Sequence, residues 1–293
     1  RSKMEYSFST LFLTIIYWIG INNILFMKKI SIIGAGNMGG AIARGLSQGS
    51  IFSAQQITVS DISTENLQAI KTFNPLINTT LSNVDGVQHA DIVVIAVKPW
   101  LTETICNEIK SVLNYDKQVV VSIVAGVSFE QLHTFLKKEG ESSPTIFRVI
   151  PNTAIDVLQS VSTIASSHAN KQQEEEIVRI FNELGKAFLV SSEQQLNAFM
   201  SLSSCGIAYA FRYIRAAVEG GVEMGIYPET AKQVVIQTLR GAIDLLEATN
   251  AHPEAEIDKV TTPAGITIKG LNEMEANGFS NAVIKGLKAS YIK

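Results

Sequence analysis

The chain has 293 residues, 46% of them hydrophobic and 17% charged, more than one core usually organises, so two domains are expected. Its 24 lysines and arginines nearly balance 27 aspartates and glutamates, a net charge of −3 with no basic block, which argues against a nucleic-acid partner. Two cysteines, Cys106 and Cys205, and four scattered histidines form neither a disulfide framework nor a metal-binding spacing, so no metal and a reducing, cytoplasmic setting are expected.

Residues 1–26 stand apart from this picture. Residues 8–26 are largely apolar and follow Arg1 and Lys3, in the manner of a signal anchor, but no small-residue cleavage site follows. Three origins stay open: an upstream extension outside the fold, a membrane anchor, or an extra docked helix. The first is preferred, because Met27 opens the first strand directly.

From residue 27 to 192, strand-like and helix-like segments alternate, the pattern of a parallel sheet with crossover helices. Strands are expected over 28–33, 57–60, 91–97, 118–124, 145–150 and 186–190, with helices over 100–113, 129–138 and 172–184. The first strand runs into Gly34-Ala-Gly-Asn-Met-Gly39 and then a helix start, the order a dinucleotide pyrophosphate requires. Gly34 permits the turn, Gly36 lets the backbone approach the phosphates and Gly39 lets helix and strand pack closely. The cofactor residues assigned here are therefore Ile33, Gly34, Ala35, Gly36, Asn37, Met38 and Gly39.

Asp61 ends the second strand, 22 residues past Gly39. Either it accepts hydrogen bonds from the adenosine ribose, favouring NADH over NADPH, or it caps the helix that opens near Ser63. Further segments end at the same sheet edge: Ala96-Val-Lys-Pro99, Val124-Ala-Gly126 and Arg148-Val-Ile-Pro-Asn152. Lys98 points either to a cofactor hydroxyl or substrate carboxylate or simply to solvent, and Gly126 admits close contact with a nicotinamide ribose.

From residue 193 to 293 the strand signals stop and helices are expected over 203–225, the longest, then 228–248 and 265–277. Small residues along the first of these, among them Gly206, Ala210, Ala217 and Gly221, would let a second helix approach. A helical tail that cannot build a large core alone implies pairing with another subunit, with the active site in an interdomain cleft. Near the end, Thr262 reads as a helix cap with Pro263 in the first helical position. That leaves the amides of Ala264, Gly265 and Ile266 free for a small carboxylate, with the Thr267 hydroxyl beside it; a plain helix start is the other reading. No Ser-His-Asp order, nucleophile elbow or carboxylate pair is present, and His133 and His168 are expected to be structural, so the chemistry leans on a cofactor and on positioning.

Taken together, Ile32-Ile-Gly-Ala-Gly-Asn-Met-Gly39, Asn83 with Val87 and Ala90-Asp91, Ala96-Val-Lys-Pro99, Val121-Ser-Ile-Val-Ala-Gly126, Arg148-Val-Ile-Pro-Asn-Thr153, Gly206-Ile-Ala-Tyr-Ala-Phe211 and Val260-Thr-Thr-Pro-Ala-Gly-Ile-Thr-Ile268 resemble pyrroline-5-carboxylate reductase from residue 27 onward. The resemblance implies a Rossmann-type dinucleotide-binding domain over 27–192 and an all-helical dimerisation and substrate-binding domain over 193–293, forming a homodimer or larger ring. It implies hydride transfer from NADPH or NADH to the C=N carbon of 1-pyrroline-5-carboxylate, giving L-proline. Asn83, Ala96, Val97, Lys98, Pro99, Ala125 and Gly126 would line the cofactor. Thr262, Ala264, Gly265 and Ile266 would hold the substrate, and Thr267 would contact its ring nitrogen as the catalytic hydroxyl. The chain departs from the family pattern at 204–207, Ser160, Ala264 and Ile266, the last bordering the substrate site. Other readings are a related imine or β-hydroxyacid reductase, the latter disfavoured because 203–225 holds no lysine, and a cofactor-binding regulatory protein without catalysis.

Overall fold

The computed structural model describes residues 28–291, which fall into two units divided between Phe199 and Met200. The expectations for residues 1–26 and for Met27 lie outside the described residues.

The first unit is built on one sheet of eight strands in the order β3-β2-β1-β4-β5-β6-β7-β8. These are β1 Ile30–Ile33, β2 Ile57–Ser60, β3 Asn78–Thr80, β4 Ile92–Ile95, β5 Val119–Ser122, β6 Thr145–Ile150, β7 Ser160–Ser167 and β8 Gly185–Leu189. The sequences ISII, IVVI and VVVS of β1, β4 and β5 are buried throughout, as continuous apolar runs must be when helices cover both faces. From β3 to β6 neighbouring strands pair in parallel, so Ile33 lies opposite both Ser60 and Ile95, and their carboxyl ends share one edge. The sheet's polarity reverses between β6 and β7, which pair antiparallel, and β8 then runs parallel to β7.

The helices here are α1 Asn37–Leu46, α2 Thr64–Phe73, α3 Asn83–Val87, α4 Thr102–Ile109, α5 Phe129–Phe135, α6 Lys171–Asn182 and α7 Glu193–Met200, whose last residue begins the second unit. Ser63, Ser128 and Asn170 cap α2, α5 and α6, the last two as full capping boxes with Gln131 and Gln173. Two apolar cores form, one per face: Ile32, Val94, Val121 and Phe147 lie in the first, Ile33, Ile95, Val120 and Ile146 in the second. Two strands were not expected. β3 is a three-residue polar edge, and β7 reads Ser-Val-Ser-Thr-Ile-Ala-Ser-Ser, too rich in hydroxyls for an apolar run; it buries Ser160, Ser162 and Thr163 instead.

The second unit is helical: α8 Gly206–Glu223, α9 Pro228–Thr249, α10 Pro253–Val260, α11 Ile266–Ala276 and α12 Phe279–Ala289. The helix expected over 203–225 is shorter, because Ser201–Cys205 form a wider π-type turn before α8, and α9, at 22 residues, is the longest. Gly221 lets α8 approach α9: a Cβ there would lie 3.0 Å from that of Ala231. Among the described residues of this unit, Val218 and Ala231 are the buried apolar ones, while Tyr209, Phe211, Met224, Tyr227, Ile243 and Phe279 are exposed.

Candidate active site

Three strand ends meet around the glycine turn. The amide of Gly34 donates to the Ser60 carbonyl (2.7 Å) and that of Ala96 to the Ile33 carbonyl (2.8 Å), drawing β2 and β4 against the end of β1. Gly34 has φ +102°, and a Cβ there would sit 2.5 Å from the Ala96 carbonyl oxygen. At Gly39 a Cβ would fall 1.9 Å from the Gly34 carbonyl oxygen, so no side chain fits between helix and turn. At Gly36 the same position has no atom within 4 Å, leaving the turn's outer face open. α1 begins there with no side-chain cap and no acidic residue in its first turn, so the amides of Asn37, Met38 and Gly39 and the positive end of the helix meet that space. The arrangement fits a dinucleotide pyrophosphate, at the point where strand order reverses between β1 and β4.

Asp61 has a role not foreseen in its simplest readings. Its Oδ2 accepts from the Ala35 amide (2.6 Å) and the Asn66 side-chain amide (3.3 Å), and its Oδ1 from the Ser63 amide (2.7 Å). The helix cap is Ser63, which accepts from the Asn66 amide (3.2 Å), not Asp61. Asp61 therefore braces the glycine turn from the end of β2 and keeps a half-buried carboxylate at that edge, followed by an exposed Ile62. Asn83 is buried; its Oδ1 accepts from Ser60 Oγ (2.8 Å) and its amide donates to Glu108 Oε2 (3.0 Å), so both ends of its side chain are engaged within the fold. Lys98 is exposed without a partner among the described residues, and Trp100 beyond it is 76% exposed. Ala125 and Gly126, the latter at φ +79°, are exposed past the end of β5.

One expected geometry is corrected. Thr262 does not cap a helix with Pro263 in its first turn. Residues 262–265 form a turn closed by the Gly265 amide donating to the Thr262 carbonyl (2.9 Å), and α11 begins at Ile266 with Gly265 as its cap. Ala264 holds φ +60°, the left-handed region, at the position where the sequence lacks glycine. The Gly265 amide is consequently not free. The amides available are those of Ala264 and of the first turn of α11, Ile266, Thr267 and Ile268, with the exposed Thr267 hydroxyl among them.

His133 Nε2 lies 2.9 Å from Ser167 Oγ and its ring 4.8 Å from that of His168, where β6 begins and β7 ends. Burial, and then the neighbouring His168, hold His133 below the usual histidine range. Burial pushes the Cys106 thiol up to about 12, leaving it no nucleophile. A pair that sequence reasoning missed is Arg148 with Glu193; the signal was a cation inside the apolar strand Thr145–Ile150, which demands a counter-charge.

The family described as pyrroline-5-carboxylate reductase dimerisation matches residues 193–293, and that described as NADP oxidoreductase, coenzyme F420-dependent, matches residues 29–126. Pyrroline-5-carboxylate reductase 2 of Dictyostelium discoideum is 35% identical over 276 residues, 90% of this chain and 91% of that protein. The chain belongs to the pyrroline-5-carboxylate reductase family. Pyrroline-5-carboxylate reductase 1 of the same organism is 38% identical over 91% of this chain, which spans 49% of that longer protein. A pyrroline carboxylate reductase of Plasmodium falciparum, solved with NADP bound, is 26% identical over 91% of this chain and 96% of its own, with a TM-score of 0.80. Within the family, the first unit is the NAD(P)-binding Rossmann-like domain and the second corresponds to the dimerisation domain. Among the described residues no helix is long and apolar enough to cross a membrane.

Proposed function

We propose that this chain is an NAD(P)H-dependent oxidoreductase that reduces the C=N bond of 1-pyrroline-5-carboxylate to give L-proline, the last step of proline biosynthesis, and that it acts as a homodimer or larger homo-oligomer. The single observation that carries the reading is the open glycine turn with an uncapped helix start at the β1 carboxyl end, in a chain that belongs to this family. NAD(P)H, when bound, supplies the hydride. Ile33 to Gly39 hold the pyrophosphate through backbone amides, Asp61 borders the adenosine ribose, and Ala96 to Pro99, with Ala125 and Gly126, form the wall along the nicotinamide half. Ala264 and the first amides of α11 receive the substrate carboxylate, replacing the set expected from sequence. The ring N–H of the protonated imine donates to Thr267 Oγ1, holding the imine carbon in line as nitrogen loses its charge. A protonated imine is already electrophilic, so alignment and one hydroxyl meet the chemical need without a strong acid.

The exposed apolar side chains of the second unit support pairing between copies, since Val218 and Ala231 alone make no core. The direct test is oxidation of NADH and NADPH by the purified full chain with 1-pyrroline-5-carboxylate, beside a panel of small keto acids, with proline identified as product. Turnover of a keto acid in preference to the imine would assign a different reductase chemistry, and dinucleotide binding without any turnover would favour a regulatory protein.

A further inference from the structure

Arg148 is 5% exposed in the middle of a sheet, a position where an unpaired cation is not tolerated. Strand alternation sends it to the same face as Ile146, opposite to Phe147 and Val149, and therefore toward α5. There its guanidinium donates to Glu193 Oε1 and lies 5.9 Å from the Phe129 ring centroid. The same Oε1 accepts the Phe129 amide at 2.9 Å. Phe129 is the first residue of α5, three positions after Gly126. Glu193 is the first residue of α7, so one carboxylate oxygen fastens two helix starts to a buried cation in β6.

Given the proposed dinucleotide site, on which the inference rests, we propose that Arg148 acts through Glu193 as a positioning residue that fixes the Ala125–Gly126 loop against the nicotinamide riboside. The loop is exposed at Ala125 and Gly126 and has left-handed backbone at Gly126, so its own contacts do little to hold it. Its anchors are the burial of Val124 and Val127, the Val124 amide bond to Ser122 Oγ on one side, and on the other the Ser128–Gln131 capping box together with the Phe129 amide bond to Glu193. Arg148 holds the carboxylate in place for that bond. The adenosine and pyrophosphate subsites are built from β1, β2 and α1, and neither Arg148 nor Glu193 bonds to them among the described residues.

The latch therefore gives a graded expectation along the cofactor. Glu193→Ala removes the shared acceptor, but it also leaves Arg148 without a counter-charge and risks unfolding. Arg148→Met with Glu193→Gln removes both charges together and keeps the volume. In the double variant, dissociation constants for NADH and NADPH, read by nucleotide fluorescence on the full chain, are expected to rise roughly 10- to 100-fold, the scale of one charge-assisted hydrogen bond. The constant for ADP, which carries adenosine and pyrophosphate but no nicotinamide riboside, is expected to stay within about twofold. Equal losses for ADP and NADH, or unchanged binding of both with only a lowered Tm, would overturn the positioning role and leave a structural ion pair. A wild-type protein that binds neither NADH nor NADPH overturns the proposed function itself, and the latch with it.

Discussion

Replacing Asp61 by asparagine separates two effects that one carboxylate combines. Both of its oxygens accept backbone amides, from Ala35 at 2.6 Å and from Ser63 at 2.7 Å. An asparagine offers one carbonyl oxygen, so one of these amides would face an NH₂ group and lose its partner. For a half-exposed site, where water replaces part of the loss, the expected cost is about 1 kcal/mol, below the roughly 1.5–3 kcal/mol of a buried hydrogen bond to a charged group. The second effect is electrostatic. Two unit charges about 4 Å apart near a protein surface interact by roughly 4 kcal/mol, less after screening by salt, and no cation follows Asp61, since Ile62 and Ser63 come next. NADH is therefore expected to give the higher kcat/KM in the wild type. Asp61→Asn should shift the NADH to NADPH ratio of kcat/KM toward NADPH by at least about tenfold, equivalent to ~1.4 kcal/mol. The assays are urea unfolding and steady-state kinetics with both cofactors at two ionic strengths. A wild type that favours NADPH, together with an Asp61→Asn variant of unchanged ratio, would refute the placement of this carboxylate beside the ribose.

Thr267→Val keeps the side-chain shape and removes the hydroxyl; kcat/KM for the imine is expected to fall roughly 5- to 150-fold, about 1–3 kcal/mol, while NADH affinity measured without substrate stays put. An undiminished kcat/KM would show that another group holds the ring nitrogen. Ala217, half-buried on α8, is expected to lie at a subunit contact, so Ala217→Trp should lower the oligomer's stability by about 1–3 kcal/mol; a wild type that scatters light as a monomer at micromolar concentration removes that basis. His133 is held below its ordinary value of 6.5, so the folded state binds fewer protons than the unfolded chain. Its stabilising contribution is full above that value and is lost as pH falls from there through the lower folded-state value, and His133→Gln should flatten this part of the pH–stability profile measured by urea unfolding.

Long apolar runs and glycine spacing made most of the first unit legible. Strands β1, β4, β5 and β6 fall inside their expected segments because both faces of each are covered and the residues say so directly. β7 escaped because its buried positions carry Ser160, Ser162 and Thr163, whose burial depends on tertiary neighbours such as Asn152, bonded through its amide to Ser160 Oγ at 3.1 Å. The segment 262–267 stood out by its residues, but its shape did not: Thr-Pro is an ordinary helix opening, and the left-handed Ala264 moves the helix start to Ile266. Asp61 was singled out as a ribose acceptor or cap, yet its bond to Ala35 spans 26 residues and only the fold brings the two together. The Glu193 latch is longer-ranged still, joining positions 45 and 64 residues apart.

The antiparallel step between β6 and β7 sets where variation is harmless. Because β7 and β8 run against the rest of the sheet, the edge formed by the carboxyl ends of β1 to β6 receives their first residues, Ser160 and Gly185, while Ser167 ends at the far edge beside the start of β6. Evolution and engineering thus have an unequal choice of loops. The connections after β5 and β6 open at the edge proposed to hold the dinucleotide, whereas the turn 168–170, between β7 and α6, lies at the opposite edge, where an affinity handle must still spare Asn170, the cap of α6.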